Sequence, residues 1–425
     1  MAMRVYLPLK GVRVLSFELA FALPAGTRVL SDLGAEVVRV ARPGGNPFSR
    51  YISAVDGVFH GKPCVDIDLK TERGKQLAYE LALKADVVSN NYRPGVLDNF
   101  GLGSDRLRKA KPELIWMQLS GYGTPGPWST FPAYGPSTEA AGGLNRLLVN
   151  EGEVPIRIGS GVFSDQLSGR YAALAIVAAL EKKRATGKGA SIDLSMTECI
   201  THMLGSQMVN AATTGAVPSA ERNRHRRYVP QGVYPCSGTD EWLAISICTQ
   251  ETWEQLVDIV ADERLEKELT IEERRAQHDD IDAVLCQWTM DQGKNALADL
   301  LQQHGIAAAP VRTVQDSALD PQFKARGSLQ QIRHSKPVMG YRSHPQPPLP
   351  WRIVGRKRKT LTDYRNNGRD NEKVLNRWLG YNATQVKELV KSGVMGVTQS
   401  RTLDNRLWAS NLDDPDFASK LGLKD

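Results

Sequence analysis

Short β-branched segments alternate with amphipathic segments along residues 11–119, and this alternation restricts the fold more than any other feature of the chain. The apolar runs predict five strands, over residues 11–18, 36–41, 64–69, 86–89 and 114–119. Helices are predicted between them, over residues 24–33, 71–84 and 104–110. Strands and helices in alternation imply a parallel sheet joined by crossover helices.

A run of Ala, Leu, Ile and Val over residues 167–180 is too long for a strand and predicts a buried helix. The cationic residues 182–184 and then Gly187 supply a favourable last turn and a glycine stop. Ser164 and Asp165 stand where this helix should begin. An aspartate in that place is most often an N-cap, and the positive end of the helix dipole also favours its carboxylate.

Three further segments complete the pattern along the chain. Residues 190–196 alternate as a sixth strand does, and residues 197–214 predict one helix. Residues 120–144 contain too many glycines and prolines for a regular element and predict a loop.

The length and charge of the chain limit its class. With 425 residues, two domains are expected, and 41% hydrophobic with 24% charged residues is ordinary for a globular protein. The net charge of +7 and a pI near 9.1 favour anionic ligands. Because most basic residues are scattered, a polyphosphate-bearing ligand is favoured over nucleic acid as the partner.

Cysteine spacing and hydropathy indicate the compartment. The five cysteines are widely spaced without a CxxC pair, which argues against a disulfide framework and against a zinc site. No metal site is predicted, and a reducing, cytoplasmic location is expected. No apolar run is long enough to span a membrane, so no membrane partner is expected.

The motif GVFSDQLSG at residues 161–169, continued by AALAIVAALEKKRATGKGASIDLSM at residues 172–196, resembles the centre of the family III CoA-transferases. This family includes formyl-CoA transferase and carnitine CoA-transferase. The resemblance implies that Asp165 is the nucleophile that accepts the acyl group.

The resemblance extends over most of the chain, with further matches at residues 9–45, 62–74, 85–103 and 305–327. It implies a CoA site formed by Ala20, Phe21, Arg42, Ile67, Asn91, Tyr92, Tyr134 and Met196. From the sequence alone, Arg42 is at least as often a surface residue at a strand end. Tyr134 is equally consistent with packing beneath its loop.

The predicted fold class is α/β, with a Rossmann-like parallel sheet in a large domain, residues 1–216, and a smaller α+β domain, residues 232–328. Residues 217–231 read as a linker, residues 329–396 return to complete the large domain, and residues 397–425 form a C-terminal extension. Gln231 and Gly232 occupy the region where relatives carry a glycine-rich flap. The resemblance also implies an interlocked homodimer.

The predicted function is the transfer of CoA from an acyl-CoA donor, such as succinyl-CoA, to a free carboxylic acid. The transfer would use an aspartyl-acyl mixed anhydride and an enzyme-bound CoA thioester on Asp165. CoA is then a substrate, and no tightly bound cofactor is expected. The chain would act as a homodimer or as the catalytic subunit of a heteromer with a homologous chain.

Three alternatives remain at this point. An α-methylacyl-CoA racemase shares the expected fold but pairs its Asp with a His, and no histidine lies between residues 61 and 201. A dinucleotide dehydrogenase is disfavoured because the first strand-to-helix turn lacks GxGxxG. A non-catalytic subunit is disfavoured because Asp165 is present.

Overall fold

The computed structural model describes residues 4–44, 57–149, 152–158, 162–216, 223–225, 227–338, 341–362 and 368–396. The chain divides into two compact units. The first comprises Met1–Asn145, Ile156–Val217 and Pro321–Asp425, and the second comprises Arg146–Pro155 and Pro218–Asp320. The sequence predicts residues 146–155 in the large domain and residues 321–328 in the small one, so the predicted and observed divisions differ at these two segments.

The first unit is built on a six-stranded parallel sheet in the order β3-β2-β1-β4-β5-β6. This order reverses between β1 and β4, which defines a doubly wound α/β sheet. All six predicted strands and the parallel arrangement are confirmed. The strands are β1 (Arg13–Phe17), β2 (Glu36–Ala41), β3 (Cys64–Asp66), β4 (Val87–Asn90), β5 (Ile115–Ser120) and β6 (Ser191–Ser195).

Helices cover both faces of this sheet because each central strand is apolar on both sides. The helices up to residue 216 are α1 (Ala22–Asp32), α2 (Glu72–Lys84), α3 (Val96–Asn99), α4 (Ser104–Ala110), α5 (Gly135–Ala141), α6 (Phe163–Thr186), α7 (Met196–Met203) and α8 (Gly205–Thr214). Leu15 of β1 belongs to the core that contains α2. The preceding residue, Val14, belongs to the core formed with α1 and α6.

Two elements between β5 and residue 214 differ from the prediction. The segment 120–144 is not entirely irregular, since it contains α5. Pro136 fits in the first turn of α5, because a backbone N–H at that position would have no partner within the helix. In the same turn, Ser137 Oγ accepts the Tyr134 N–H at 3.0 Å. The single helix predicted over residues 197–214 is two helices, because the buried Leu204 has a non-helical ψ of 21° between α7 and α8.

The second unit has a separate core built on the antiparallel sheet β7-β8-β9. Its elements are β7 (Gln231–Pro235), β8 (Trp242–Ser246), α9 (Gln250–Val260), α10 (Ile271–Ala276), α11 (His278–Met290), α12 (Lys294–Gln303), β9 (Ala307–Pro310) and α13 (Val314–Leu319). β7 and β8 form a hairpin, which the helix α9 follows, in agreement with the α+β character predicted for this domain. Gln231 and Gly232, the flap candidates, lie in β7 opposite Ser246 and Ile245.

The end of the chain returns to the large sheet. It contains α14 (Pro321–Ala325), the antiparallel pair β10 (Gln330–Val338) and β11 (Tyr341–Gln346), α15 (Asn371–Leu379) and α16 (Ala383–Lys391). The backbone N–H of Asp66 in β3 donates to Asn371 Oδ1 at 2.9 Å, and α15 and α16 complete the core of Leu15.

The predicted C-terminal extension and part of the predicted linker lie outside the described residues. The predicted extension at residues 397–425 lies outside them, as do residues 217–222 of the predicted linker. Among the helices that are described, none combines the length and the apolar character needed to cross a bilayer.

Candidate active site

A cavity of about 700 Å³ opens at the carboxyl ends of the parallel strands in the first unit. This edge, at the point where strand order reverses, is where doubly wound sheets bind ligands. All six strand ends contribute to it, together with the α5 and α6 termini. Its lining includes Glu18, Leu19, Ala20, Ala22, Arg39, Arg42, Ile67, Lys70, Asn91, Tyr92, Arg93, Leu119, Pro132, Ala133, Tyr134, Asp165 and Met196.

Eight of the nine residues predicted for the site line this one cavity. They are Ala20, Arg42, Ile67, Asn91, Tyr92, Tyr134, Asp165 and Met196. The ninth, Phe21, is not among the lining residues. Its partly buried side chain packs against Ala25, Val58 and Phe59.

Charge is unevenly distributed around the cavity. The basic side chains Arg42, Lys70 and Arg93 follow β2, β3 and β4, where the lining also contains Arg39 and the carboxyl groups of Glu18 and Asp68. Cations therefore outnumber carboxyl groups at these strand ends. Near the carboxyl ends of β5 and β6, the described lining residues are uncharged and include Leu119, Pro132 and Met196. Such a cavity fits an elongated ligand with its anionic end over β2 to β4 and its reactive end near Asp165.

Tyr92 lies close enough to Arg42 for the two side chains to interact. Burial raises the pKa of the Tyr92 hydroxyl to about 12, while the Arg42 guanidinium opposes that shift. The backbone carbonyl of Tyr92 accepts a hydrogen bond from Gln118 Nε2 at 2.6 Å, which ties the loop after β4 to β5. Tyr92 is therefore a neutral, fixed part of the cavity wall at physiological pH.

Asp165 is the third residue of α6 and lies in its first turn. The N-cap is Val162, so the interpretation of Asp165 as an N-cap is wrong. The residue is only 7% exposed, and its carboxyl group opens onto the cavity. Burial and the nearby Glu139 raise its pKa to about 6, whereas hydrogen bonds from its own N–H and from the Ala22 N–H act in the opposite direction.

Close packing of α1 against α6 brings the Ala22 N–H to Asp165. The two helices meet at Gly26 and Gly169, where a Cβ on Gly26 would lie 2.3 Å from the Gly169 carbonyl oxygen. A Cβ on Gly169 would lie 2.5 Å from the Ala22 carbonyl oxygen. Only glycine at both positions allows this separation, so the carboxylate lies at the N-termini of two helices at once.

Glu139 of α5 is completely buried beside the first turn of α6. Its Oε1 accepts the backbone N–H of Ser164 at 3.1 Å, while Oε2 has no hydrogen-bond partner among the described residues. The Ser164 hydroxyl is also held, because it accepts from Thr138 Oγ1 and donates to the Gly135 carbonyl, both at 3.0 Å. The residue before Asp165 is thus fixed by three contacts to α5.

A second buried group of charges borders the cavity under the loop after β1. Lys62 Nζ donates to Glu18 Oε1 at 2.8 Å, to Thr27 Oγ1 at 2.6 Å and to the Pro24 carbonyl at 2.9 Å. Burial lowers the pKa of Lys62 to about 8, and Glu18 opposes the shift. Arg39 Nε lies 3.7 Å from the same Glu18 oxygen.

The sequence did not identify several of these residues as belonging to the site. Lys70, Glu139 and the pair of Glu18 with Lys62 were not identified as site residues. A signal was available for two of them, since Glu18 ends an apolar strand and Glu139 stands in a run of small residues. Their partners, 44 and 25 positions away in the chain, could not be identified locally.

The arrangement can support nucleophilic carboxylate chemistry. Asp165 is buried, ionisable near neutral pH and in contact with the cavity. No histidine is among the cavity-lining residues of the described chain. The described residues also contain no group of three or more His, Cys, Asp or Glu side chains arranged to hold a metal ion.

The fold and the cavity define a doubly wound α/β protein with a buried carboxylate at its switch-point cavity. A model of the CoA-transferase family III matches residues 9–362. The chain therefore belongs to this family.

Individual relatives agree with this assignment. A probable CoA-transferase of Mycobacterium tuberculosis is 28% identical over 408 residues, which cover 91% of this chain and 50% of that protein, so the chain spans half the length of that relative. The succinyl-CoA–D-citramalate CoA-transferase of Chloroflexus aurantiacus is 28% identical over 334 residues, covering 76% of this chain and 83% of that one. The crystal structure of a CaiB/BaiF family protein from Brucella suis matches with a TM-score of 0.78 and 27% identity, covering 87% of this chain and 99% of that one.

Proposed function

We propose that this protein transfers CoA from an acyl-CoA donor to a free carboxylic acid, with Asp165 as the nucleophile. The observation that carries the proposal is that Asp165, a buried carboxylate, lines the same cavity as the basic side chains Arg42, Lys70 and Arg93. CoA has matching chemistry, with phosphates at one end and a reactive thiol at the other. Arg42, Lys70 and Arg93 are the side chains proposed to contact the phosphates.

The reaction begins when a carboxylate oxygen of Asp165 bonds to the acyl carbon of the donor. The C–S bond breaks, and CoA leaves as the thiolate. The thiolate then attacks the Asp165 carbonyl carbon, which releases the donor acid and leaves a CoA thioester on Asp165. The acceptor carboxylate attacks that thioester, and attack of the released thiolate on the acceptor's acyl carbon yields the new acyl-CoA and free Asp165.

The described site favours an acceptor acid with an uncharged body. No basic side chain is found among the described lining residues over β5 and β6, so a second carboxylate on the acceptor would have no cationic partner there. Succinyl-CoA is proposed as the donor because the relative named succinyl-CoA–D-citramalate CoA-transferase uses it by name. Its distal carboxylate would meet the same uncharged lining and would therefore have to stay hydrated. A panel of donors and acceptors, measured by product thioester, tests both assignments.

The decisive experiment is covalent trapping. The protein is mixed with succinyl-CoA, or with other acyl-CoA thioesters, and then with hydroxylamine, and the peptides are examined by mass spectrometry. Conversion of the Asp165 carboxyl to a hydroxamate, absent in Asp165→Ala, is the expected result. Unmodified Asp165 together with solvent deuterium exchange at the α-carbon of a 2-methylacyl-CoA would replace the proposal with a racemase.

We also propose that the active form is a homodimer. Exposed apolar side chains on and near α8 support this, because α8 has no buried residue and Val209 is 63% exposed. Sedimentation velocity of the purified chain should give the mass of a dimer. A monomer that is active in the trapping experiment would contradict the assembly without affecting the assigned nucleophile.

A further inference from the structure

The side chain of Glu139 is buried beside the first turn of α6, and its carboxyl group is only partly hydrogen-bonded. It is fully inaccessible to solvent, and its Oε2 has no hydrogen-bond partner in the described part of the chain. No salt bridge joins it to a described cation, although a buried carboxylate is normally paired. Only its Oε1 is engaged, by the Ser164 N–H.

Other charged groups on the elements packed around α5 and α6 are engaged or exposed. On α1, Arg28 Nε lies 3.4 Å from Asp32 Oδ2. On α7, Glu198 and His202 are exposed, and Asp193 of β6 accepts the Thr124 N–H at 2.7 Å. Among the described residues, Glu139 is therefore a buried carboxyl group next to the Asp165 turn that has no cationic partner.

We propose that Glu139 is a positioning residue for acyl transfer to Asp165. Glu139 fixes the first turn of α6 through Ser164. Its negative charge also raises the free energy of the ionised Asp165 carboxylate, and acylation of Asp165 removes that repulsion. This inference rests on the proposed function. In the free enzyme two carboxylates share one buried region, and their repulsion destabilises the anion of Asp165. When the Asp165 oxygen bonds to the acyl carbon and the thiolate leaves, that negative charge is transferred away from Glu139.

This arrangement assists the nucleophile in two ways. A more basic carboxylate is a better nucleophile toward a thioester, and a destabilised anion favours the acylated form at equilibrium. The direction agrees with the electrostatics, since burial is the largest cause of the raised pKa of Asp165 and the charge of Glu139 acts in the same direction. If the role of Glu139 were purely structural, the hydrogen bond to Ser164 would be sufficient and the negative charge of Glu139 would not matter.

Glu139→Gln separates the two roles, because glutamine keeps an oxygen that can accept the Ser164 N–H but removes the charge. The first measurement is the pH dependence of Asp165 modification by a water-soluble carbodiimide with glycinamide, read by peptide mass, which requires no enzyme activity. The midpoint near pH 6 should move lower by about one pH unit in E139Q. The matched control is Glu198→Gln, an exposed glutamate on α7, which should leave the midpoint unchanged.

The second measurement is the equilibrium fraction of acylated Asp165 after addition of an acyl-CoA donor. It should fall on the order of tenfold in E139Q for each unit by which the midpoint moves. Glu139→Asp, which keeps the charge, should retain the parental midpoint even if its shorter side chain slows acylation. An unchanged midpoint in E139Q, or a lowered one in E139D, overturns the inference, whereas absence of Asp165 acylation in the parent protein overturns the proposed function instead.

Discussion

The side-chain amide of Asn91 hydrogen-bonds both backbone polar atoms of Leu19. Asn91 Oδ1 accepts the Leu19 N–H and Asn91 Nδ2 donates to the Leu19 carbonyl, each at 2.8 Å. Leu19 follows β1 and Asn91 follows β4, so the pair joins the two loops at the point where the strand order reverses. The next residue, Ala20, adopts a left-handed φ of 52°, a conformation that the pair holds in place.

Asn91→Ala should weaken CoA binding more than it weakens the fold. Both hydrogen bonds are partly solvated, so their loss should cost about 1–2 kcal/mol of unfolding free energy. Separation of the two loops should raise the Kd for CoA by at least tenfold, measured by calorimetry. Asn99→Ala, at an exposed position on α3, is the control and should change neither quantity. If the variant bound CoA more weakly but unfolded with the parental free energy, Asn91 would act only by contacting the ligand and not by joining the two loops.

Asp165→Asn should stabilise the protein while it abolishes acylation. The folded chain holds the Asp165 proton more tightly than the unfolded chain, since its pKa is about 6 in place of 3.8. The carboxylate therefore costs stability progressively as pH rises from 3.8 to 6, and above pH 6 the full cost is about 3 kcal/mol.

Urea unfolding at several pH values measures this difference. Asp165→Asn should be more stable than the parent at pH 7 and equally stable near pH 3.5. An advantage that does not depend on pH would mean that side-chain packing, and not ionisation, accounts for it.

Gly169→Ala should damage both the helix crossing and the site. The new Cβ would lie 2.5 Å from the Ala22 carbonyl oxygen and 2.9 Å from Ala25 Cβ, so α1 and α6 must move apart. Overpacking of this kind costs about 1–3 kcal/mol. The Ala22 N–H would move with α1, and the rate of Asp165 acylation should fall.

The control for this substitution is Gly205→Ala. Gly205 begins α8, and an added Cβ there meets no atom within 4 Å. Thermal unfolding and acylation should be unaffected. Equal behaviour of the two variants would contradict the account of the crossing.

Lys62→Met should be strongly destabilising because it leaves the Glu18 carboxylate buried without its closest cation. Removal of one partner of a buried ion pair costs about 3–5 kcal/mol. The double variant Glu18→Gln with Lys62→Met should recover much of that loss, since the remaining polar group is uncharged. Denaturant unfolding of the four proteins gives the coupling energy, and an additive result would mean that the pair does not stabilise the fold.

The sheet could be predicted from the sequence because its determinants are local. Each strand is a short apolar run bounded by turn residues, and Thr71 and Gly187 supply the cap signals for α2 and α6. Burial of both faces then requires helices on each side. The helix α5 was missed because glycine and proline usually mark loops, although a proline in the first turn is compatible with a helix.

From the sequence, only those site residues that directly follow a strand could be predicted. Arg42, Asn91 and Tyr92 follow strands directly, so the sheet topology brings them together. The contact of Glu139 with Ser164 and the crossing of Gly26 with Gly169 depend on how separate helices pack. No local pattern encodes those distances.

The cavity takes residues from all six strand ends, so no smaller piece of the sheet contains a complete binding surface. A ligand held there is thermodynamically linked to the whole sheet, because the unfolding of any one strand removes part of its contacts. At a free concentration one hundred times its Kd, such a ligand adds about 2.7 kcal/mol to the stability of all six strands together. In a cell, the supply of the bound metabolite would then help to set how long each copy of the protein survives proteolysis.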